Sequence, residues 1–118
     1  MDDFARNAAQ LIDVPFTKMT GSGNDFVFFD ARFAPSDILT QPDIIRAICN
    51  RNNGIGADGI VLLELARPAA DVRVRYFNSD GTSADLCGNA TLCSTTLSAE
   101  LGLASASGMT LEIGRAHV

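Results

Sequence analysis

The chain has 118 residues, of which 47% are hydrophobic and 19% charged, and this is typical of one globular domain with a modest core. Its net charge of −5 leaves no basic face to meet phosphates, which argues against nucleic-acid binding. No apolar run approaches the roughly 20 residues that cross a bilayer, and the acidic N-terminus lacks a signal-peptide pattern. An odd number of cysteines, three, favours a reduced compartment over a disulfide scaffold, so we expect a cytoplasmic protein.

The N-terminal part of the chain predicts a short helix followed by a β-hairpin. We expect residues 1–12 to be a loosely docked extension and residues 13–112 to form the domain. Two apolar stretches, Val14–Thr20 and Phe26–Asp30, are typical of strands, and the polar residues between them predict a wide turn. Asn24 in that turn has two interpretations: it accepts left-handed backbone geometry, or it presents its amide to a ligand.

The next segment predicts a helix and a glycine-rich connection. Pro42 suits the first helical position, and the apolar face that follows predicts a helix to about Arg51, with Cys49 as a buried structural thiol. Gly54–Gly59 matches the pattern G-x-G-x-x-G, but the dinucleotide fingerprint needs a strand before it and a helix after it. Here the order is reversed, because the strand-like Ile60–Leu65 follows. We therefore reject a nucleotide site and expect a tight helix-to-strand connection.

A strand, a polar loop and a second helix follow. Asp71–Phe77 alternates apolar and charged residues, which predicts a strand with Arg73 and Arg75 solvated on its wet face. The turn-rich residues after it lead to a helix over Cys87–Leu101. Its single charged residue is Glu100, and a helix with so little charge is predicted to be buried all round.

These elements predict an α+β fold: a mixed, mostly antiparallel sheet wrapped around a central buried helix, with a second helix outside. Gly108–Ile113 supplies a last strand, and the absence of a regular strand–helix–strand series argues against a doubly wound sheet. The last six residues, 113–118, can be encoded by DNA that resembles a sequencing-library adapter, so we expect a truncated or adapter-derived tail. In that case His117, the single histidine, has no functional role.

Cys87 carries the main chemical hypothesis. The first N–H groups of a helix lack internal partners, and the positive end of the helix dipole stabilises both a thiolate and a bound carboxylate. A cysteine nucleophile would require a histidine base, and the sequence offers no credible one. The remaining interpretations are an ordinary cysteine at a helix start or an acid/base cysteine that removes a proton alpha to a carboxylate.

Three ordered segments resemble the N-terminal half of diaminopimelate epimerases. They are Phe16-Thr-Lys-Met-Thr-Gly-Ser-Gly-Asn-Asp-Phe26, Asn50-Arg-Asn-Asn-Gly-Ile-Gly-Ala-Asp-Gly59, and Phe77-Asn-Ser-Asp-Gly81 with Cys87-Gly-Asn89. The resemblance implies a cofactor-independent isomerase without a metal, which interconverts LL- and meso-diaminopimelate with two cysteines on opposite faces of the alpha carbon. It also implies two similar domains, each with strands around a central helix, and leaves a homodimer open as the assembly.

Site residues follow from the resemblance by position. Cys87 matches the first catalytic cysteine, and Gly88 and Asn89 match the pair that binds substrate beside it. Asn24 and Asn78 match substrate-binding asparagines, which favours the ligand interpretation of Asn24.

The chain departs from the family pattern in three ways. Ala90, Thr91 and Leu92 stand where a glycine, an alanine and an arginine are usual, and Gly59 stands where some members have glutamine, so it is left out of the site. The C-terminal half, with the second catalytic cysteine, is expected to be missing. These departures leave open a non-catalytic small-molecule-binding domain of the same fold. A related racemase or isomerase is less favoured, because Cys87 and Asn89 argue against the proline-racemase and phenazine-biosynthesis types.

Overall fold

The computed structural model describes residues 2–21, 23–66, 68, 70–84, 88–105, 107–113 and 116–117, with the backbone alone at 88–90, 92, 112, 113, 116 and 117. The helices are α1 (Asp3–Ala9), α2 (Ser36–Leu39), α3 (Pro42–Cys49) and α4 (Gly88–Glu100). The strands are β1 (Thr17–Gly21), β2 (Asn24–Asp30), β3 (Gly59–Leu65), β4 (Val72–Asn78), β5 (Leu111–Ile113) and β6 (Ala116–His117).

The strands form one mixed sheet whose spatial order follows the chain, β1-β2-β3-β4-β5-β6. The pairs β1–β2, β3–β4 and β5–β6 are antiparallel, while β2–β3 and β4–β5 are parallel. The predicted α+β class with a mixed sheet is therefore confirmed. No helix among the described residues is long and apolar enough to cross a membrane.

Each face of the sheet has its own core, because successive side chains of a strand point to opposite sides. Phe28 and Val61 contribute to the core under α4, which contacts β1, β3 and β4. Val27 and Leu62 contribute to the core on the other face, where Ile45 of α3 packs. The sheet thus lies between α4 on one side and the α2–α3 segment on the other.

The prediction that α4 is buried all round is wrong. Its side chains at Cys93 and Leu97 are buried, but Thr96 and Glu100 are exposed. The sheet covers one side of the helix, and a helix rich in small residues does not reveal from its composition which side remains open to solvent. Within the helix, the Thr95 hydroxyl donates to the Thr91 carbonyl one turn earlier at 3.4 Å.

The hairpin between β1 and β2 is tighter than predicted. Gly21 and Asn24 are partners in the β1–β2 register, so residues 22 and 23 alone separate the two strands. Gly23 has φ +91°, a left-handed conformation that glycine adopts without steric cost and that suits a tight hairpin. Asn24 consequently belongs to β2 rather than to a wide polar turn.

The helix α3 and the glycine segment after it behave as predicted. Pro42 is the first residue of α3, and Cys49 at its end is 5% exposed. Burial raises the pKa of the Cys49 thiol to about 11, which fits a structural role. Gly56, at φ +81°, donates its N–H to the Ile48 carbonyl at 3.0 Å and so turns the chain from α3 toward β3.

The two arginines of β4 differ. Arg73 is exposed as expected. Arg75 is not simply solvated, because its Nη1 lies 3.5 Å from Glu64 Oε1 and its guanidinium lies over the ring of Phe77 at 5.6 Å. The neighbouring strand β3 supplies Glu64, a partner that the alternation within β4 could not indicate.

Candidate functional site

Asn24 and Asn78 lie at the same edge of the sheet. Phe26, Gly59 and Asn78 occupy one row across β2, β3 and β4, and Asn24 precedes Phe26 by two residues. Two strand spacings and two residue rises place the Cα atoms of Asn24 and Asn78 about 12 Å apart. The first residue of β2 and the last residue of β4 therefore meet at one end of the sheet, and both side chains are exposed.

Both asparagines also belong to the face of the sheet that α4 covers. Phe26 and Tyr76 pack on that face, with their ring centroids 5.5 Å apart. Side chains two residues apart on a strand share a face, so Asn24 lies on the side of Phe26 and Asn78 on the side of Tyr76.

The start of α4 points to this same edge. At the far end of the helix, Arg32 donates from Nη2 to the Leu101 carbonyl at 2.9 Å, which places that end beside the last residue of β2. Helix α4 has 13 residues, about 20 Å of length, and β2 has seven, about 23 Å. The Ala84 N–H donates to the Tyr76 carbonyl at 3.0 Å, so Ala84 lies beside β4. Gly88, the first residue of α4, follows Ala84 by four positions and therefore lies within about 14 Å of Ala84.

The turn that carries Asn78 is held by its own hydrogen bonds. The Asn78 N–H donates to the Thr82 carbonyl at 2.8 Å, and its Nδ2 donates to Thr82 Oγ1 at 3.1 Å. Thr82 in turn donates its N–H and hydroxyl to the Asp80 carboxylate, and these bonds hold the pKa of Asp80 below its usual value. The amide of Asn78 is thus oriented by groups of the same turn.

Two glycines are required by close packing at this edge. A Cβ on Gly59 would lie 2.4 Å from the Phe77 carbonyl oxygen, and a Cβ on Gly81, at φ +92°, would lie 2.6 Å from Pro42 Cα. Gly59 therefore has a structural reason to be glycine in this chain, which agrees with leaving it out of the site.

An ion cluster lies beside Asn24, and sequence reasoning did not identify it. The carboxylate of Asp25 receives two hydrogen bonds from Arg51, at 2.8 and 3.0 Å, and lies 3.3 Å from Lys18 Nζ. Arg51 also contacts Asp58 at 3.1 Å. The hydrogen bonds from Arg51 hold the pKa of Asp25 well below its usual range, and Asp25 raises the pKa of Arg51. No local spacing signals this cluster, since Arg51 and Asp25 are brought together by the β2–β3 pairing.

Part of the predicted site falls outside what the structure describes. Cys87 is not among the described residues, and Gly88 and Asn89 are described by their backbone as the first two residues of α4. Within the described ranges, no group of three or more histidine, cysteine or acidic side chains could hold a metal ion.

Comparison with known proteins gives the family. The family model described as diaminopimelate epimerase matches residues 16–113. The chain belongs to the diaminopimelate epimerase family. It is 70% identical over 99 residues to the diaminopimelate epimerase of Gemmatimonas aurantiaca, which covers 84% of this chain and 36% of that protein. The diaminopimelate epimerase of Sphingopyxis alaskensis is 51% identical over 82 residues, which covers 70% of the chain and 30% of the relative.

Solved structures with a similar fold include two proteins that are not named as diaminopimelate epimerases. A Bacillus anthracis phenazine biosynthesis protein of the PhzF family has a TM-score of 0.60 and 22% identity, over 86% of this chain and 32% of that one. A methylitaconate-delta-isomerase has a TM-score of 0.64 and 15% identity, over 78% of this chain and 28% of that one. At these identities the likeness shows the fold alone. The chain spans about a third of the length of the curated relatives that it matches.

Proposed function

We propose that the protein containing this chain interconverts LL- and meso-diaminopimelate by moving a proton at the alpha carbon, and that Cys87 is one of its two acid/base cysteines. The observation that carries the proposal is a convergence. Asn24, Asn78 and the start of α4 meet at one edge of the sheet, on one face of it. Residue 87 directly precedes Gly88, the first residue of that helix.

The position before α4 suits proton abstraction by a thiolate. The unpartnered N–H groups of the first helical turn and the helix dipole favour a negative charge, which lowers the pKa of a thiol there. The Cys87 thiolate takes the proton from the alpha carbon, and the electron pair left behind is delocalised into the adjacent carboxylate. A second thiol, in the part of the protein beyond this chain, then delivers a proton to the opposite face and inverts the configuration.

The other site residues hold the substrate. The backbone N–H groups of Gly88 and Asn89 are suited to the carboxylate beside the reacting carbon, since anions bind at helix N-termini. The amides of Asn24 and Asn78 each offer donors and an acceptor, which fits the ammonium and carboxylate groups of an amino acid. No cofactor is needed, and we place the reaction in the cytoplasm, in the synthesis of lysine and peptidoglycan precursors.

The test uses the full-length gene product, meaning a polypeptide that contains this chain and has the length of the curated relatives. LL-diaminopimelate is incubated with it in D₂O, and proton NMR follows loss of the alpha proton and formation of the meso isomer. We expect both in the wild-type protein, and a loss of at least about a hundredfold in the Cys87→Ala variant. Turnover that persists in Cys87→Ala would contradict the role of Cys87.

The 118-residue chain by itself is expected not to epimerise diaminopimelate. One base can remove a proton and return it to the same face, which leaves the configuration unchanged. Linear steady-state turnover by the purified chain would contradict the two-cysteine mechanism.

The second candidate is a non-catalytic binding domain of the same fold, which the departures at Ala90, Thr91 and Leu92 allow. The same experiment separates this candidate from the epimerase. Saturable binding of diaminopimelate by the full-length gene product, with no exchange of the alpha proton in D₂O, would favour the binding domain.

A further inference from the structure

One residue links the two strands that present the substrate asparagines. The Asp58 N–H donates to the Asp25 carbonyl at 3.0 Å, and the Asp58 carbonyl accepts from the Ser79 N–H at 3.0 Å. Asp25 follows Asn24, and Ser79 follows Asn78. The backbone of Asp58 is therefore a direct bridge between the residues next to both asparagines.

The side chains of Asp58 and Asp25 reinforce this bridge and would repel each other without a cation. The Asp25 N–H donates to Asp58 Oδ2 at 3.1 Å, and the Asp58 N–H also lies 3.1 Å from Asp25 Oδ1. Two carboxylates are thus held next to each other, and like charges at such a separation are unfavourable. Two cations supply the compensating charge: Lys18 lies 3.3 Å from the Asp25 carboxylate, and Arg51 contacts both carboxylates.

Arg51 contacts both carboxylates in a geometry stronger than that of an ordinary surface ion pair. Its Nη1 and Nη2 form a two-pronged contact with Asp25 at 3.0 and 2.8 Å, and Nη2 also reaches Asp58 Oδ1 at 3.1 Å. Bidentate guanidinium–carboxylate pairs within a network stabilise the folded state, whereas single exposed ion pairs contribute little to it. Gly56 packs against Arg51, since a Cβ on Gly56 would lie 3.1 Å from Arg51 Cα.

Arg51 itself lies away from the substrate side. Asp25 alternates with Asn24 and Phe26, so its side chain belongs to the opposite face of the sheet, the face on which α3 packs. Arg51 follows the end of α3 and meets Asp25 on that face. It can therefore influence the asparagines through Asp25 and Asp58 without contacting the ligand.

We propose that Arg51 is a positioning residue for substrate binding, which fixes Asn24 and Asn78 relative to each other by holding Asp25 and Asp58 together. This inference rests on the proposed function, because it takes both asparagines as substrate ligands. The glycine-rich segment between α3 and β3 then also has a role. It turns the chain so that Arg51, which follows α3, contacts Asp58, which precedes β3.

The first test measures steady-state kinetics of the full-length gene product with Arg51→Met, Arg51→Lys and the control Arg6→Met. Arg6 forms an exposed ion pair with Asp3 in α1 and so offers a matched loss of a guanidinium from a different ion pair. We expect Arg51→Met to raise KM for LL-diaminopimelate about tenfold, as for residues coupled in one network, with a smaller change in kcat. Arg51→Lys should recover part of the loss, and Arg6→Met should match the wild type.

A merely structural role would give a different result. Loss of folded protein lowers the apparent kcat and leaves KM unchanged. An unchanged KM in Arg51→Met, or an equal rise in Arg6→Met, would overturn the proposal.

The second test does not depend on activity. Hydrogen exchange at the backbone N–H groups of Asp58 and Ser79 reports the bridge itself. We expect Arg51→Met to speed exchange at both about tenfold and Arg6→Met to leave it unchanged. Unchanged exchange in Arg51→Met would overturn the role of Arg51. Absence of diaminopimelate turnover by the wild-type protein would instead overturn the proposed function, and with it the substrate-binding part of this inference.

Discussion

The guanidinium of Arg32 lies 2.7 Å from the carboxylate of Asp30, a side chain that is 7% exposed at the end of β2. Burial disfavours the charged form of Asp30, but hydrogen bonds from the side chain and backbone of Arg32 outweigh it, so the pKa of Asp30 lies below its usual value. Because Arg32 also donates to the Leu101 carbonyl, this ion pair joins β2 to the C-terminal end of α4.

The Asp30–Arg32 pair should make stability depend on pH in the acid range. A carboxylate with a lowered pKa in the folded state stabilises the protein above its unfolded pKa, about 3.9, and this contribution is lost as pH falls further. We expect Asp30→Asn to lower the free energy of unfolding at pH 7 by about 1–3 kcal/mol and to flatten its decline as pH falls below about 4. Urea unfolding of the full-length gene product at several pH values measures both. Asp3→Asn, at an exposed position, is the control. Curves of unfolding free energy against pH that run parallel for wild type and Asp30→Asn would contradict the lowered pKa of Asp30.

Gly59 should tolerate no side chain. In Gly59→Ala the new Cβ would lie 2.4 Å from the Phe77 carbonyl, so the β3–β4 pairing must shift. We expect a loss of about 1–3 kcal/mol in the free energy of unfolding, the usual cost of overpacking. Gly108→Ala is the matched control, since its Cβ would meet no atom within 4 Å. Equal urea midpoints for the two variants would show that the edge adapts more freely than the close packing of Gly59 implies.

Removing Asn24 or Asn78, the proposed substrate ligands, should weaken catalysis. We expect Asn24→Ala and Asn78→Ala each to lower kcat/KM for LL-diaminopimelate about tenfold to a hundredfold, because each loses hydrogen bonds to a charged ligand. Asn7→Ala serves as the control: Asn7 lies in α1 and donates to Gln41 Oε1, so this variant loses an asparagine outside the two strands that carry Asn24 and Asn78. Wild-type kcat/KM in both Asn24→Ala and Asn78→Ala would remove these residues from the binding site.

The three cysteines should react at different rates with iodoacetamide near neutral pH. Cys49 is buried, with its pKa raised to about 11, and Cys93 is buried as well, so both should label slowly. Cys87, if activated as proposed, should label first, and mass spectrometry of digested full-length gene product would identify it. Equal slow labelling of all three thiols would contradict a lowered pKa at Cys87.

Local patterns in the sequence predicted most of the elements. Alternation identified β4, and Pro42 marked the start of α3, because such signals depend on neighbouring residues alone. The hairpin tip was predicted too wide, since the tight turn depends on the backbone conformation of Gly23. The exposure of Thr96 depends on where α4 meets the sheet, which no residue of the helix specifies.

The candidate site was less accessible to sequence reasoning. The turn pattern left two interpretations of Asn24 open, and the resemblance favoured the ligand one. Only the register of β2, β3 and β4 places Asn24 at one edge with Asn78. The contact between Arg51 and Asp25 joins residues 26 positions apart and has no periodic signature. The role of Cys87 remains a prediction.

The parallel pairing of β2 with β3 has a consequence for how the chain folds. Hairpins β1–β2 and β3–β4 close over short loops, whereas Phe28 and Val61 are partners that lie far apart in the sequence. Closing that longer loop costs entropy before its contacts are gained, so we expect the two hairpins to form before β2 pairs with β3. Joining the hairpins along Phe26–Asp30 is then the step that we expect to set the folding rate.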